Sequence, residues 1–64
     1  MQNNVKQLRK AAGLRQEDLA RKLGVSRQTI IAIENNKYDP TLSLAFRLAQ
    51  ALACTVDRLF TPAP

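Results

Sequence analysis

The chain of 64 residues contains no histidine and a single cysteine, Cys54. One thiol cannot close an intramolecular disulfide, and a Cys/His zinc site has no ligand set to draw on. Cys54 is expected to serve as a small buried hydrophobe. Glycine is scarce too, present only at Gly13 and Gly24, so no glycine-rich loop can cradle a phosphate. Without histidine, without two carboxylates converging on one cleft and without a serine–base pair at workable spacing, no catalytic constellation exists. The N-terminal Met-Gln-Asn-Asn-Val-Lys lacks the apolar segment of a signal peptide. No apolar run approaches the roughly 20 residues that span a bilayer. These absences predict a cytoplasmic, non-enzymatic chain with no cofactor, no metal, no membrane partner and no small-molecule ligand.

Acidic residues are the next scarcity: five against ten Lys and Arg, for a net charge of +5. The imbalance is one-sided. Residues 1–27 hold seven basic side chains (Lys6, Arg9, Lys10, Arg15, Arg21, Lys22, Arg27) against Glu17 and Asp18. From residue 28 onward, Lys37, Arg47 and Arg58 cancel against Glu34, Asp39 and Asp57. A basic field confined to one part of a small domain favours a polyanionic partner. At this length the whole of residues 1–64 is expected to form one compact helical domain with little core to spare.

What is present is organised around residues 16–35. Leu19, Ala20 and Leu23 share one helical face. Gly24 supplies the positive φ that ends a helix. Val25 is expected to turn back into the crease, and Ser26 to cap a second helix, whose Ile30 and Ile33 point inward. Helix, tight glycine turn and second capped helix match the helix-turn-helix unit, whose second helix can enter the DNA major groove. At about 100° per residue, Arg27, Gln28, Ile31, Ala32 and Asn35 fall on its outward side. Arg27 can go bidentate to guanine and Gln28 to adenine, while Ile31 and Ala32 can meet a thymine methyl.

The rest of the chain frames this unit. A first helix is predicted over Asn4–Ala12, capped by Asn3 or Asn4 and stopped by Gly13, with Val5, Leu8 and Ala12 as its core face. Leu14 should plug the space between the first two helices. The second helix starts at Arg15 or Gln16 without a good N-cap, and Glu17 and Asp18 partly compensate by opposing its positive end. The amide of Gln16 can bond a phosphate or brace a neighbour, and the backbone N–H groups there suit a phosphate. Asn36 can take the left-handed conformation that ends the third helix. Lys37 follows in a loop placed for a phosphate. Pro40 keeps Asp39 out of helical geometry, and Thr41 caps a fourth helix, about Leu42–Ala53. Its stripe of Leu44, Ala45, Leu48, Ala49 and Leu52 is expected to be core, widened by Leu42 and Phe46. A short fifth helix, Val56–Phe60, begins at Thr55. Residues 61–64 should form a loose tail.

Read together, Leu8-Arg9 with Gly13-Leu14, Gln16-Glu-Asp-Leu-Ala, Leu23-Gly-Val-Ser-Arg-Gln-Thr-Ile, Ile33-Glu-Asn, Asp39-Pro-Thr-Leu, Leu44-Ala-Phe-Arg-Leu-Ala-Gln-Ala-Leu and Val56-Asp-Arg-Leu-Phe carry a family signature. In this order and spacing the chain resembles the Cro/CI-type helix-turn-helix family, also called XRE or lambda-repressor-like, over about nine-tenths of its length. The resemblance implies an all-α, five-helix lambda-repressor-like domain that binds double-stranded DNA as a transcriptional regulator, usually as a homodimer on a two-fold site. It implies base contacts from Arg27, Gln28 and Ala32. It implies a phosphate bond and a brace from Gln16, and places Ser26, Thr29 and Asn35 near the DNA backbone. It also implies an ion pair between Arg9 and Glu34, and at about 100° per residue Glu34 falls on the inward side of the second helix of the unit with Ile30 and Ile33.

Three departures stand out. Arg15 replaces the expected Ser or Thr before Gln16, so a cap is lost while a charge is gained near phosphate. Ala32 is short where many relatives are longer. The Tyr38-Asp-Pro-Thr loop lacks an arginine for the minor groove. Late in the chain, Val56, Leu59 and Phe60 are the candidates for a dimer contact, or else they close the monomer core. An interaction module, such as a DNA-binding antitoxin or an adaptor, is the alternative. The four residues after Phe60 leave little to wrap a toxin, and an adaptor has no need of Arg27 and Gln28 facing outward.

Overall fold

In the computed structural model, which describes residues 2–61, the elements run β1 (Gln2–Asn3), α1 (Val5–Ala11), α2 (Gln16–Leu23), α3 (Arg27–Glu34), α4 (Leu42–Ala51), α5 (Val56–Leu59) and β2 (Phe60–Thr61). The five helices stand as the hydrophobic periodicity requires. The pair of two-residue strands is an addition to the all-α expectation. β1 pairs antiparallel with β2, Gln2 opposite Thr61 and Asn3 opposite Phe60. Thr61 is therefore tied down and not part of a loose tail; residues 62–64 lie outside the described residues.

One core holds the helices together. Val5, Leu19, Leu23, Ile30, Ile33, Leu48, Leu59 and Phe60 are buried in it with Ala20, Leu44, Ala45, Ala49 and Leu52. Leu8, Leu14, Val25, Cys54 and Val56 pack partly buried against it. Three expected core positions depart from this list. Ala12 is exposed, because α1 ends at Ala11 and Ala12 is already its C-cap. Leu42 and Phe46 remain 69% and 55% exposed. They sit one turn apart on the rim of α4, while Leu44, Ala45, Leu48 and Ala49 face inward.

The helix ends follow local chemistry. Gly24 closes α2 at φ 67°, and Val25 N–H donates to Ala20 O at 3.0 Å, so α2 turns sharply into α3. Ser26 Oγ accepts from Thr29 N–H at 3.2 Å and Thr41 Oγ1 from Leu44 N–H at 3.2 Å, both N-caps of the expected kind. Asn36 takes φ 59°, as an asparagine ending a helix can. α4 stops at Ala51 and not at Ala53, because Ala53 adopts φ 54°. Its neighbour Cys54 N–H closes the turn onto Ala49 O at 2.9 Å. A left-handed alanine is unfavourable by about 1 kcal/mol or more. Burial of Leu59 and Phe60, which this turn directs back to the core, offsets that cost.

Two tertiary ties position α3. Arg47 of α4 donates from Nη2 to Leu23 O at 2.6 Å, satisfying the last carbonyl of α2 just before the turn. From the other end of the chain, Asn3 Nδ2 donates to Ile33 O at 2.7 Å and to Asn36 Oδ1 at 2.9 Å. The first residues thus clamp the C-terminal end of α3.

Candidate nucleic-acid interface

α2 and α3 make the most extensive contact between elements in the molecule, and α3 presents its other side outward. Arg27 and Gln28 are exposed at its first turn, with Ile31 and Ala32 half-buried one turn on. The structure therefore brings the four expected base-reading residues onto one surface. Ile31 and Ala32 are less exposed than the two polar side chains.

Behind this face sits the buried ion pair. Arg9 Nε donates to Glu34 Oε2 at 2.7 Å, with side-chain exposures of only 8% and 2%. Arg9 Nη1 donates to Leu14 O at 2.8 Å. Arg9 thus joins α1, the turn after it and α3, with the charged ends of both partners out of solvent. Its neighbours Lys6 and Lys10 on α1 are exposed. The pair expected from the resemblance is present as a direct contact.

Gln16 is half-buried at the start of α2. Its Nε2 donates to Glu34 Oε1 at 3.1 Å. Its Oε1 accepts from Arg27 Nε and Nη2, both at 3.4 Å. The brace is therefore real, and its anchor is Glu34. Arg15 is highly exposed and provides no side-chain cap for α2; Asp18 reaches back to it, its Oδ2 accepting from Arg15 N–H at 2.9 Å and from Arg15 Nε at 3.1 Å. The Arg15 guanidinium, then its backbone N–H, hold the Asp18 carboxyl below the usual carboxylate range. That contribution is present above an unfolded pKa near 3.8 and is lost as pH falls through the lower folded value. Arg15 also pairs with Glu17 at 3.0 Å.

The remaining backbone-contact candidates ring α3. Ser26 Oγ lies 2.9 Å from Thr29 Oγ1 at the N-terminus. Exposed Asn35 and Lys37 stand at the C-terminus, where Lys37 N–H donates to Ala32 O at 2.9 Å. A depression of about 430 Å³ lined by Lys10, Arg15, Gln16 and Arg27 opens beside the first turn of α3. Lys10 is the residue that sequence reasoning left out of the candidate set. Only packing of α1 against α3 brings it to the rim. Among the described residues, no cluster of His, Cys, Asp and Glu could hold a metal, and no helix is long and apolar enough to cross a membrane.

Away from this face, α4 and α5 enclose an apolar groove of about 910 Å³. Leu42 and Phe46 rise on its wall, and Ala45, Ala49, Val56 and Phe60 line it. Of the late dimer candidates, Leu59 is fully buried and Phe60 8% exposed. Both close the monomer core and offer little surface; half-buried Val56 and an edge of Phe60 reach the groove, and Leu59 does not.

The comparisons agree with this architecture. The helix-turn-helix family model matches residues 5–59. The chain is 55% identical over 60 residues to an uncharacterized HTH-type transcriptional regulator of Methanocaldococcus jannaschii, covering 94% of this chain and 91% of that one. It superposes on a hypothetical transcription factor from Neisseria with a TM-score of 0.82 at 32% identity, over 92% of this chain and 68% of that one. It also superposes on SinR, a master regulator for biofilm formation solved in complex with DNA, with a TM-score of 0.74 at 30% identity, over 81% and 84% of the two chains. By motif, by sequence and by fold, the chain belongs to the Cro/CI-type helix-turn-helix family.

Proposed function

We propose that this protein is a sequence-specific, DNA-binding transcriptional regulator, without enzymatic activity, that acts in the cytoplasm as a homodimer on a two-fold operator. The observation that carries the reading is the outward face of α3. Arg27 and Gln28 are exposed, backed by a rigid helix pair and bordered by Lys10 and Arg15. In the major groove, Arg27 and Gln28 address base edges, and Ile31 and Ala32 meet thymine methyl groups. Arg15, Gln16, Ser26, Thr29, Asn35 and Lys37 contact the sugar-phosphate backbone around them. The Gln16 amide has a second N–H to offer a phosphate while the first stays on Glu34.

A single copy carries one reading helix, α3, and a two-fold site offers two half-sites about 34 Å apart. A second copy supplies the second reading helix. Its contact belongs to the α4–α5 groove. A two-fold contact needs one patch carrying both a projection and a hollow, and Phe46 beside Ala45, Ala49 and Val56 has both. Charges from residue 28 onward cancel, so the two copies approach there with little like-charge repulsion, and the basic surface stays with the DNA.

Selection of bound duplexes from random DNA at near-physiological salt tests the whole reading. A two-fold motif is the expected result; retention without any motif leaves only phosphate binding and removes α3 as a reader. Against the selected site, Arg27→Ala should weaken binding by about 1–3 kcal/mol and relax preference at one base position. Unchanged preference places the reading face elsewhere. Lys37→Ala should weaken all sequences evenly and lower the slope of log affinity against log salt by about one. An unaltered slope takes Lys37 off the phosphate.

A further inference from the structure

From the hydrogen-bond chain behind α3, we infer that Glu34 is a positioning residue for DNA readout: acting through Gln16, it sets which way Arg27 is held. The inference rests on the reading of Arg27 as a base-contacting residue.

The argument is one of hydrogen-bond polarity. A guanidinium only donates, an ionised carboxylate only accepts, and an amide does one at each end. Arg9 donates to Glu34 from Nε at 2.7 Å and from Nη2 at 3.4 Å. Glu34 Oε1 therefore accepts from whatever Gln16 presents, and Gln16 presents Nε2 at 3.1 Å. The amide's orientation is thereby decided, and its oxygen must point away from Glu34. It points at Arg27, which can only donate and does so from Nε and Nη2. Glu34 is almost wholly buried and Arg27 is exposed. A buried negative charge thus directs an exposed reading side chain across one intervening amide, without touching it. Fixing the guanidinium in advance reduces the ordering required when DNA binds.

Glu34→Gln tests this because it keeps the shape and reverses the polarity. Arg9 Nε requires an acceptor, so the new amide turns its oxygen to Arg9 and its NH2 to Gln16. Gln16 then turns its own oxygen inward and its NH2 toward Arg27, where two donors face each other. Discrimination at the base pair read by Arg27 should fall about 3- to 10-fold, a part of what a full bidentate contact gives. Discrimination at other positions should not move. The double change Glu34→Gln with Gln16→Glu puts an acceptor back in front of Arg27. It should restore the discrimination ratio even though a carboxylate near phosphate lowers overall affinity. A merely structural role for Glu34 predicts no such rescue.

Nitrogen-15 relaxation of Arg27 Nε in DNA-free protein gives a second readout, with motion restrained in the wild type and released in Glu34→Gln. Gln16→Met leaves the Arg9–Glu34 pair intact and should reproduce both effects if Glu34→Gln does not fold. Loss of discrimination in Arg27→Ala, with neither Glu34→Gln nor Gln16→Met affecting it, overturns the relay alone. Arg27→Ala without any effect on preference overturns the base-contact reading and the relay's role in readout with it. Equal Arg27 Nε mobility in wild type and Glu34→Gln overturns the relay whatever DNA does.

Discussion

Replacing Arg9 with methionine should lower the unfolding free energy by about 3–5 kcal/mol, the usual cost of leaving one member of a buried ion pair alone. The side chain is 8% exposed and its partner Glu34 2%. Methionine fills much of the space but supplies no donor. Glu34 would keep only the Gln16 amide at 3.1 Å, and Leu14 O would lose the Nη1 bond at 2.8 Å. The whole stability expected of a chain this long is roughly 3–10 kcal/mol, so the loss is a large share of it. In thermal unfolding, each kcal/mol shifts the midpoint of so small a domain by about 4–8 °C. Urea titration with unchanged slope is the measurement of choice, because a changed midpoint then reports stability alone. Adding Glu34→Leu to Arg9→Met should recover much of the loss, since no charge is then left buried. A single variant within about 1 kcal/mol of the wild type would mean the pair is solvated as a surface pair is.

Phe46→Glu should abolish the proposed homodimer and leave the fold intact. Phe46 is 55% exposed, so little core packing is lost. At a two-fold contact the change appears twice and sets two carboxylates against each other on an apolar wall. Sedimentation should show a monomer at concentrations where the wild type pairs, with unaltered helical circular dichroism. Affinity for a two-half-site duplex should drop about 10²- to 10⁴-fold, the usual gain from making the second contact intramolecular. Affinity for an isolated half-site should stay the same. A Phe46→Glu protein that still dimerises would move the contact off the α4–α5 groove. Equal losses on one and two half-sites would mean the variant damages the reading surface instead.

Much of this molecule was legible before folding. Leu19, Ala20, Leu23, Ile30, Ile33, Leu44, Leu48 and Ala49 announce their helices and their buried faces through spacing alone. Gly24, Ser26, Asn36 and Thr41 mark the turns because each has local backbone chemistry that works without the rest of the chain. The errors fell where a distant partner overrides the local preference. Ala53 is an excellent helix former by propensity, yet the return of α5 to the core sets it left-handed. Gln2 and Thr61 pair across 59 positions of sequence, and no short strand of two residues has a pattern to detect. Leu42 and Phe46 look like core by hydrophobicity, and only the inward side of α4 has anything to pack against.

Sequence by itself determined the five helices, the basic bias of residues 1–27 and which side chains stand on the outward face of α3. These are consequences of composition and of a 3.6-residue period, which need no partner. Tertiary structure decided the rest. It buried Leu59 and Phe60 and left Leu42 and Phe46 at the surface, and it brought Lys10 beside Arg27. It also joined Arg9, Glu34, Gln16 and Arg27 into one chain of bonds. Such assignments depend on distances between residues far apart in sequence, and those distances exist only once a shared core has set the helices against one another.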